Sequence, residues 1–260
     1  MGGVVRTVRE GSLGWVIFDH EERRNAISAA MWEAIPDAMA GMAADPEVRV
    51  VLLRGAGEVA FVSGADISEF GTLRTGDAAR GYDANNGKAF AAIAQCPKPV
   101  IAMIHGFCVG GGAALSLKAD LRYTADDGVF AIPAARLGLG YSASLQESLV
   151  ATVGLPAAKE IFFTARRFPA ADALRLGLVN EVLPKAELEA YVRKVAEGIA
   201  RNAPLTLRSG KLIQNQLAGS ERARDRDAWS ASTDACYHSE DYQEGVRAFM
   251  EKRPPVFQGK

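Results

Sequence analysis

The chain has 260 residues, 48% of them hydrophobic, and 30 basic against 31 acidic side chains leave a formal charge of −1. That size supports one large core with at most a small appendage, and the balanced charge excludes a global field for nucleic acid or an anionic membrane. Three cysteines, Cys96, Cys108 and Cys236, fit a reduced protein better than a disulfide framework, and neither a secretion-type apolar segment nor about 18 uninterrupted apolar residues is present, so a soluble cytoplasmic protein is expected.

In chain order, Val4, Val5 and Val8, a turn at 11–14, and Trp15 to Phe18 predict a hairpin. A charged loop, HEERR, follows. Ser28 is a good N-cap for a helix over 28–43 in which Met31, Ile35 and Met39 recur every four residues, although Pro36 opposes an unbroken run. Residues 48–54 predict a buried strand. Residues 71–87, GTLRTGDAARGYDANNG, are polar and aperiodic and predict a mobile loop or lid. A helix resumes over 88–95. Short strands are expected at 121–124 and 129–131, and a loop at 132–144. Helices are then expected at 145–153, 157–164 and 170–176, with Gly177 closing the last. A strand at 179–183 ends the alternation of β and α. Beyond it only helices are predicted, at 185–202, 205–218, 221–236 and 240–252, before Pro254-Pro255.

Two stretches carry chemistry. In PVIAMIHGFCVGGGAALSLKAD (99–120) a β-rich run meets Gly110, Gly111 and Gly112, and a helix-forming run follows at once. Glycine lets a ligand approach the backbone, and the first N–H groups of the helix have no partner within it. Such a corner suits anionic oxygen, whether of a phosphate or of a developing oxyanion. The second stretch, FVSGADI (61–67), offers the same kind of exposed amides beside Asp66. Gly106, Gly110, Gly111 and Gly112 do not give G-x-G-x-x-G, which argues against a dinucleotide site. No histidine pair or Cys-x-x-Cys suggests a metal, and no G-x-S-x-G suggests a serine nucleophile. The alternating charges from Glu221 to Asp227 read as a solvated helix face, not a basic stripe for RNA.

PVIAMIHGFCVGGGAALSLKADLRY paired with AFVSGADISEF resembles the enoyl-CoA hydratase/isomerase (crotonase) superfamily. RRNAIS, LGLVNEV and EGVRAFMEKRPPVFQGK extend the resemblance over nearly the whole chain, in order. The resemblance implies an α/β fold, a crotonase-like spiral of ββα units with a helical C-terminal region. It places the core over residues 1–200 and a helical part for oligomerisation and CoA-pocket closure over 201–260. It also implies an acyl-CoA substrate, no cofactor other than the CoA of that substrate, and a homotrimer or dimer of trimers. Neither nucleic acid nor membrane is an expected partner.

By motif position, the thioester carbonyl would be held by the N–H groups of Ala65, after Ser63-Gly64, and Gly111, beside Gly110. Arg23 or Arg24, with Ala26, would border the pantetheine and phosphates. Ala65, Asp66 and Ile67 would line the adenine side, with Asp66 alternatively a structural cap. Phe249 and Lys252 match a pair that reaches CoA in relatives, often from a neighbouring subunit; for Lys252 the alternative is a solvated helix end. The sequence departs from the pattern at the acids. The two positions that carry glutamates in hydratases are Ala114 and Ala134, and Ser142 stands where some relatives have aspartate. A methyl group relays no proton. Tyr141 lies near the place where related acyl-CoA decarboxylases carry a tyrosine, with wall packing as the alternative, and Glu69 and Glu147 read as solvated. The expected label is enoyl-CoA hydratase, with a Tyr141-assisted decarboxylase or a non-catalytic acyl-CoA binder as alternatives.

Overall fold

The structure, a computed structural model, describes residues 2–66, 69, 78–219 and 224–260. A hairpin of β1 (Val4–Glu10) and β2 (Leu13–Asp19) leads through a short 3-10 turn (Glu21–Arg23) to helix α1 (Ala29–Ala44). From there the chain winds as a spiral whose turns place one strand in each of two sheets. Strands β3 (Val50–Gly55), β5 (Val100–Ile104), β7 (Leu121–Ala125) and β10 (Glu181–Leu183) lie in the first sheet. Strands β4 (Ala60–Val62), β6 (Phe107–Val109), β8 (Val129–Ala131) and β9 (Phe168–Pro169) form the second. Among the described residues the sheet orders are β1-β2-β3-β5-β7-β10 and β4-β6-β8-β9, with only β1–β2 and β8–β9 antiparallel.

The strands read as apolar runs because the parallel sheet is covered on both faces. Their alternation divides the core in two. Val50 and Leu52 face helix α7 (Lys185–Ala200) with Trp15, Ile101 and Met103, packing on Leu188, Val192 and Ala196. Val51 and Leu53 face the other way, into the larger cluster around Phe18, Phe61, Ile35 and Trp32. The remaining helices are α2 (Ala78–Ala94), α3 (Gly111–Ser116), α4 (Ala134–Leu137), α5 (Ala143–Thr164), α6 (Ala170–Arg175), α8 (Pro204–Ala218), α9 (Arg226–Tyr237) and α10 (Glu240–Met250).

Ser28 caps α1 as expected, accepting the Met31 N–H at 3.3 Å, and Pro36 does not interrupt the helix. α5 contains the two expected helices, joined at Gly154, whose φ of 76° and ψ of 161° are non-helical. Four expectations need correction. The lid expected over 71–87 lies partly outside the described residues, and from Ala78 onward the chain is helical. Tyr82, Ala89, Phe90 and Ile93 bury one face of α2 against α1, and that packing overrides the weak helix propensity of Gly81, Gly87 and two asparagines. The loop expected over 132–144 contains the single-turn α4, closed by Gly138 in a left-handed conformation. Strands β6 and β9, three and two residues long, have no periodic signal of their own. The helix expected over 221–236 is observed from Arg226; residues 220–223 lie outside the described residues.

Candidate active site at the ends of β4 and β6

β4 and β6 are parallel neighbours, pairing Ala60 with Phe107 and Val62 with Cys108. Parallel pairing brings their C-terminal ends side by side, so the loops that leave them must abut. One loop is Ser63-Gly64-Ala65 and the other Gly110-Gly111. Gly64 (φ 129°) and Gly110 (φ 54°) take backbone conformations that disfavour any side chain. A Cβ built on Gly111 would lie 3.6 Å from the Ala65 nitrogen.

The first loop is pinned from α1's side. Ile27 N–H donates to Gly64 O at 2.9 Å and Asp66 N–H donates to Ile27 O at 2.9 Å. Gly64 O and Asp66 N–H therefore face Ile27, and the intervening Ala65 N–H points the opposite way, towards Gly111. The second loop is fixed by Gly110 N–H donating to Ala131 O at 2.9 Å. Gly111 is the first residue of α3, so its N–H has no partner in the helix. Among the described residues, neither the Ala65 nor the Gly111 N–H has a protein acceptor. α3 is seated by close approach: a Cβ on Gly112 would fall 2.2 Å from Val62 O.

The surrounding walls are apolar. Ala114 on α3 and Ala134 on α4 are both buried, and Trp32 lies under Gly111. Tyr141 packs its ring on Phe162, with centroids 5.6 Å apart, and its hydroxyl is buried with no hydrogen-bond partner among the described residues. Burial, reinforced by the neighbouring Cys108, holds its pKa above the ordinary tyrosine value, so the hydroxyl keeps its proton. The Cys108 thiol is itself pushed up to about 12 by burial, against the opposing effect of Ser116. It is an inert core side chain.

A family model described as enoyl-CoA hydratase/isomerase matches residues 9–260. The chain belongs to the enoyl-CoA hydratase/isomerase family. It is 31% identical to the short-chain-enoyl-CoA hydratase of Clostridium acetobutylicum, over 94% of each chain. It is 34% identical to the peroxisomal Delta(3,5)-Delta(2,4)-dienoyl-CoA isomerase of Arabidopsis thaliana, over 98% of this chain and 95% of the relative. Among solved structures, an enoyl-CoA hydratase/carnithine racemase from Magnetospirillum magneticum superposes with a TM-score of 0.91 at 37% identity, covering 99% of this chain and 96% of that one. An enoyl-CoA hydratase/isomerase family protein from Hyphomonas neptunium gives 0.93 at 37% identity over 98% of both.

Of the residues that the family resemblance singles out, Ser63, Ala65, Asp66, Gly110 and Gly111 gather at these two loops, and Ala26 adjoins them as the residue before Ile27. Arg23 donates to both Asp66 oxygens, at 2.8 and 3.0 Å, which makes Asp66 the buried half of an ion pair. Arg24 is exposed, with its guanidinium 4.9 Å above the Phe107 ring. Ala26 is buried, and its carbonyl lies 2.9 Å from His20 Nδ1. Ile67 lies outside the described residues. Phe249 and Lys252 do not join the cluster: Phe249 is 84% exposed and lines a cavity between α8, α9 and α10 that none of the loop residues borders.

Glu147 is exposed, as expected, and Glu69 accepts the Ala29 N–H at the start of α1 at 2.8 Å. His105, which the sequence places beside the glycine loop, instead turns to the β3–β4 connection, where burial and Arg54 hold its pKa below the ordinary histidine value. Among the described residues no group of three or more His, Cys, Asp or Glu side chains could hold a metal, and no helix is long and apolar enough to cross a membrane. Sequence reasoning missed Trp32, Tyr82 and Phe107. Trp32 and Phe107 carry no polar signal and Tyr82 falls in the stretch expected to be a lid; only the fold brings Trp32 to Gly111, Phe107 to Arg24 and Tyr82 to the Trp32 indole.

Proposed function

We propose that this chain is an acyl-CoA enzyme that holds the thioester carbonyl between the N–H groups of Ala65 and Gly111 and stabilises the enolate formed there. The assigned reaction is of the enoyl-CoA hydratase type, a lyase or isomerase reaction next to the thioester. The observation that carries this reading is the abutment of the loops, with Gly111's Cβ position 3.6 Å from the Ala65 nitrogen. Hydration of an enoyl thioester and migration of its double bond both place negative charge on the carbonyl oxygen. Two preorganised amides in a water-poor corner answer that charge, and losing one such donor costs about 3–4 kcal/mol.

No cofactor is required beyond the CoA of the substrate. Arg24 and the Arg23–Asp66 pair border the route that the CoA phosphates and adenine would take. A homotrimer or dimer of trimers in the cytoplasm completes the reading. The exposure of the apolar Phe249 and Met250 supports such an assembly, which would bury them, and there Phe249 and Lys252 would reach a neighbouring subunit's CoA. The methyl groups at 114 and 134 mean that water is not activated by carboxylates at those positions.

Tyr141 supports a second reading, an acyl-CoA decarboxylase. In that reaction the C–C bond of a malonyl-type thioester breaks, CO2 leaves, and the electron pair becomes the enolate. Tyr141 then protonates carbon 2 and recovers its proton from water. The buried, unpartnered and protonated hydroxyl favours this role.

The test measures hydration of crotonyl-CoA and CO2 release from malonyl-CoA with wild-type protein and Tyr141→Phe. Hydration in both proteins supports the first reading. CO2 release that disappears in the variant supports the second. Acyl-CoA binding without turnover of either substrate would make the chain a non-catalytic binder.

A further inference from the structure

The two amide-bearing loops come from different strands, and one helix touches both. Ile27, two residues before α1, makes the two backbone hydrogen bonds that flank Ala65 in its loop. Five residues further on, Trp32 meets the other loop: a Cβ on Gly111 would sit 3.1 Å from Trp32 Cζ2 and 3.4 Å from Cη2. Gly111 itself does not have a positive φ. Glycine at this position is therefore a matter of space against the indole, not of backbone conformation. Trp32 is in turn immobilised. It is 1% exposed, its Nε1 donates to Tyr82 Oη at 3.0 Å, and its ring meets Phe90 edge-on at 5.4 Å. Both partners belong to α2.

We propose that Trp32, anchored by Tyr82, is a positioning residue that braces the Gly111 peptide and thereby sets its distance from the Ala65 amide. α1 then acts as a spacer between the two donors, fixed to one loop through Ile27 and to the other through the indole edge. The inference rests on the reading that these amides hold a thioester carbonyl. Misplacement of a reacting group by about 1 Å costs on the order of a hundredfold, so a small shift of Gly111 should be measurable without loss of the fold.

The test compares two ligands that differ at the carbonyl alone: butyryl-CoA, a thioester, and S-butyl-CoA, the thioether without that oxygen. Dissociation constants are measured by calorimetry for wild type, Trp32→Phe and Tyr82→Phe. Wild type is expected to prefer the thioester. Trp32→Phe should reduce that preference by about tenfold while thioether affinity stays unchanged. Tyr82→Phe, which removes one oxygen and leaves the indole N–H unpaired, should move it in the same direction by less. It carries the test alone if Trp32→Phe does not fold. A preference unchanged in both variants, or equal weakening of both ligands, would overturn the positioning role while leaving the carbonyl site intact. A wild type without any preference would overturn the carbonyl site itself, and the positioning role with it.

Discussion

Backbone N–H groups are treated in opposite ways in two regions of this molecule. At the β4 and β6 loops, the N–H groups of Ala65 and Gly111 are left without protein acceptors among the described residues, and the side chains nearest them are hydrogens, methyl groups and an indole edge. At the C-terminal tail, side-chain carboxylates take up three backbone N–H groups. The buried Asp241 on α10 accepts the N–H groups of Gln258 and Gly259 at 2.6 and 2.8 Å, and Glu244, one turn on, accepts that of Val256 at 3.1 Å. Arg253 and Arg247 hold the Glu244 carboxyl well below the usual carboxylate range. A carboxylate would satisfy the loop amides just as well, but Asp66, the one beside Ala65, is held by Arg23 at 2.8 and 3.0 Å. An amide that must receive a ligand's oxygen has to be kept from the protein's own acceptors, and glycine and alanine do that by offering none.

The sharpest way to break the contrast is Gly111→Pro, which deletes one free donor. Turnover of whichever thioester proves to be the substrate should fall at least about a hundredfold, with the melting midpoint as the control for folding. Retained turnover would mean that the carbonyl is held elsewhere. In the other region, Asp241→Ala leaves two tail amides without their acceptor. It should lower stability by about 2–3 kcal/mol in denaturant unfolding and speed amide exchange in the tail, while the thioester preference over thioether is unchanged.

The smallest effect concerns an unpaired group outside both regions. His105 is buried and its Nε2 has no partner among the described residues. Its folded-state pKa is held below the ordinary histidine value of 6.5, so below that pH the unfolded chain takes up a proton that the folded chain resists. Stability should decline as the pH falls from 6.5 towards the folded value. His105→Leu should flatten that decline in melting midpoints between pH 7 and 5. An unaltered slope would locate the acid sensitivity elsewhere.

Much of this was legible in the chain itself. The apolar runs at 50–55 and 100–104, the Ser28 cap and the glycines at 64 and 110–112 act through local chemistry, and the structure places them as read. The identities of Ala114 and Ala134 are likewise plain in the sequence, and they are what separates this chain from the two-glutamate pattern. The order of β4 and β6 in one sheet, the helix at 78–94 and the contact of Trp32 with Gly111 were not legible. Each depends on residues about 45 to 80 positions apart meeting after the spiral has closed, and no local period encodes such a meeting. Sequence determined which donors and side chains this protein has to offer. Only the packing of α1 between two loops and α2 decided how far apart the donors stand, because side-chain volume, not backbone propensity, sets that distance.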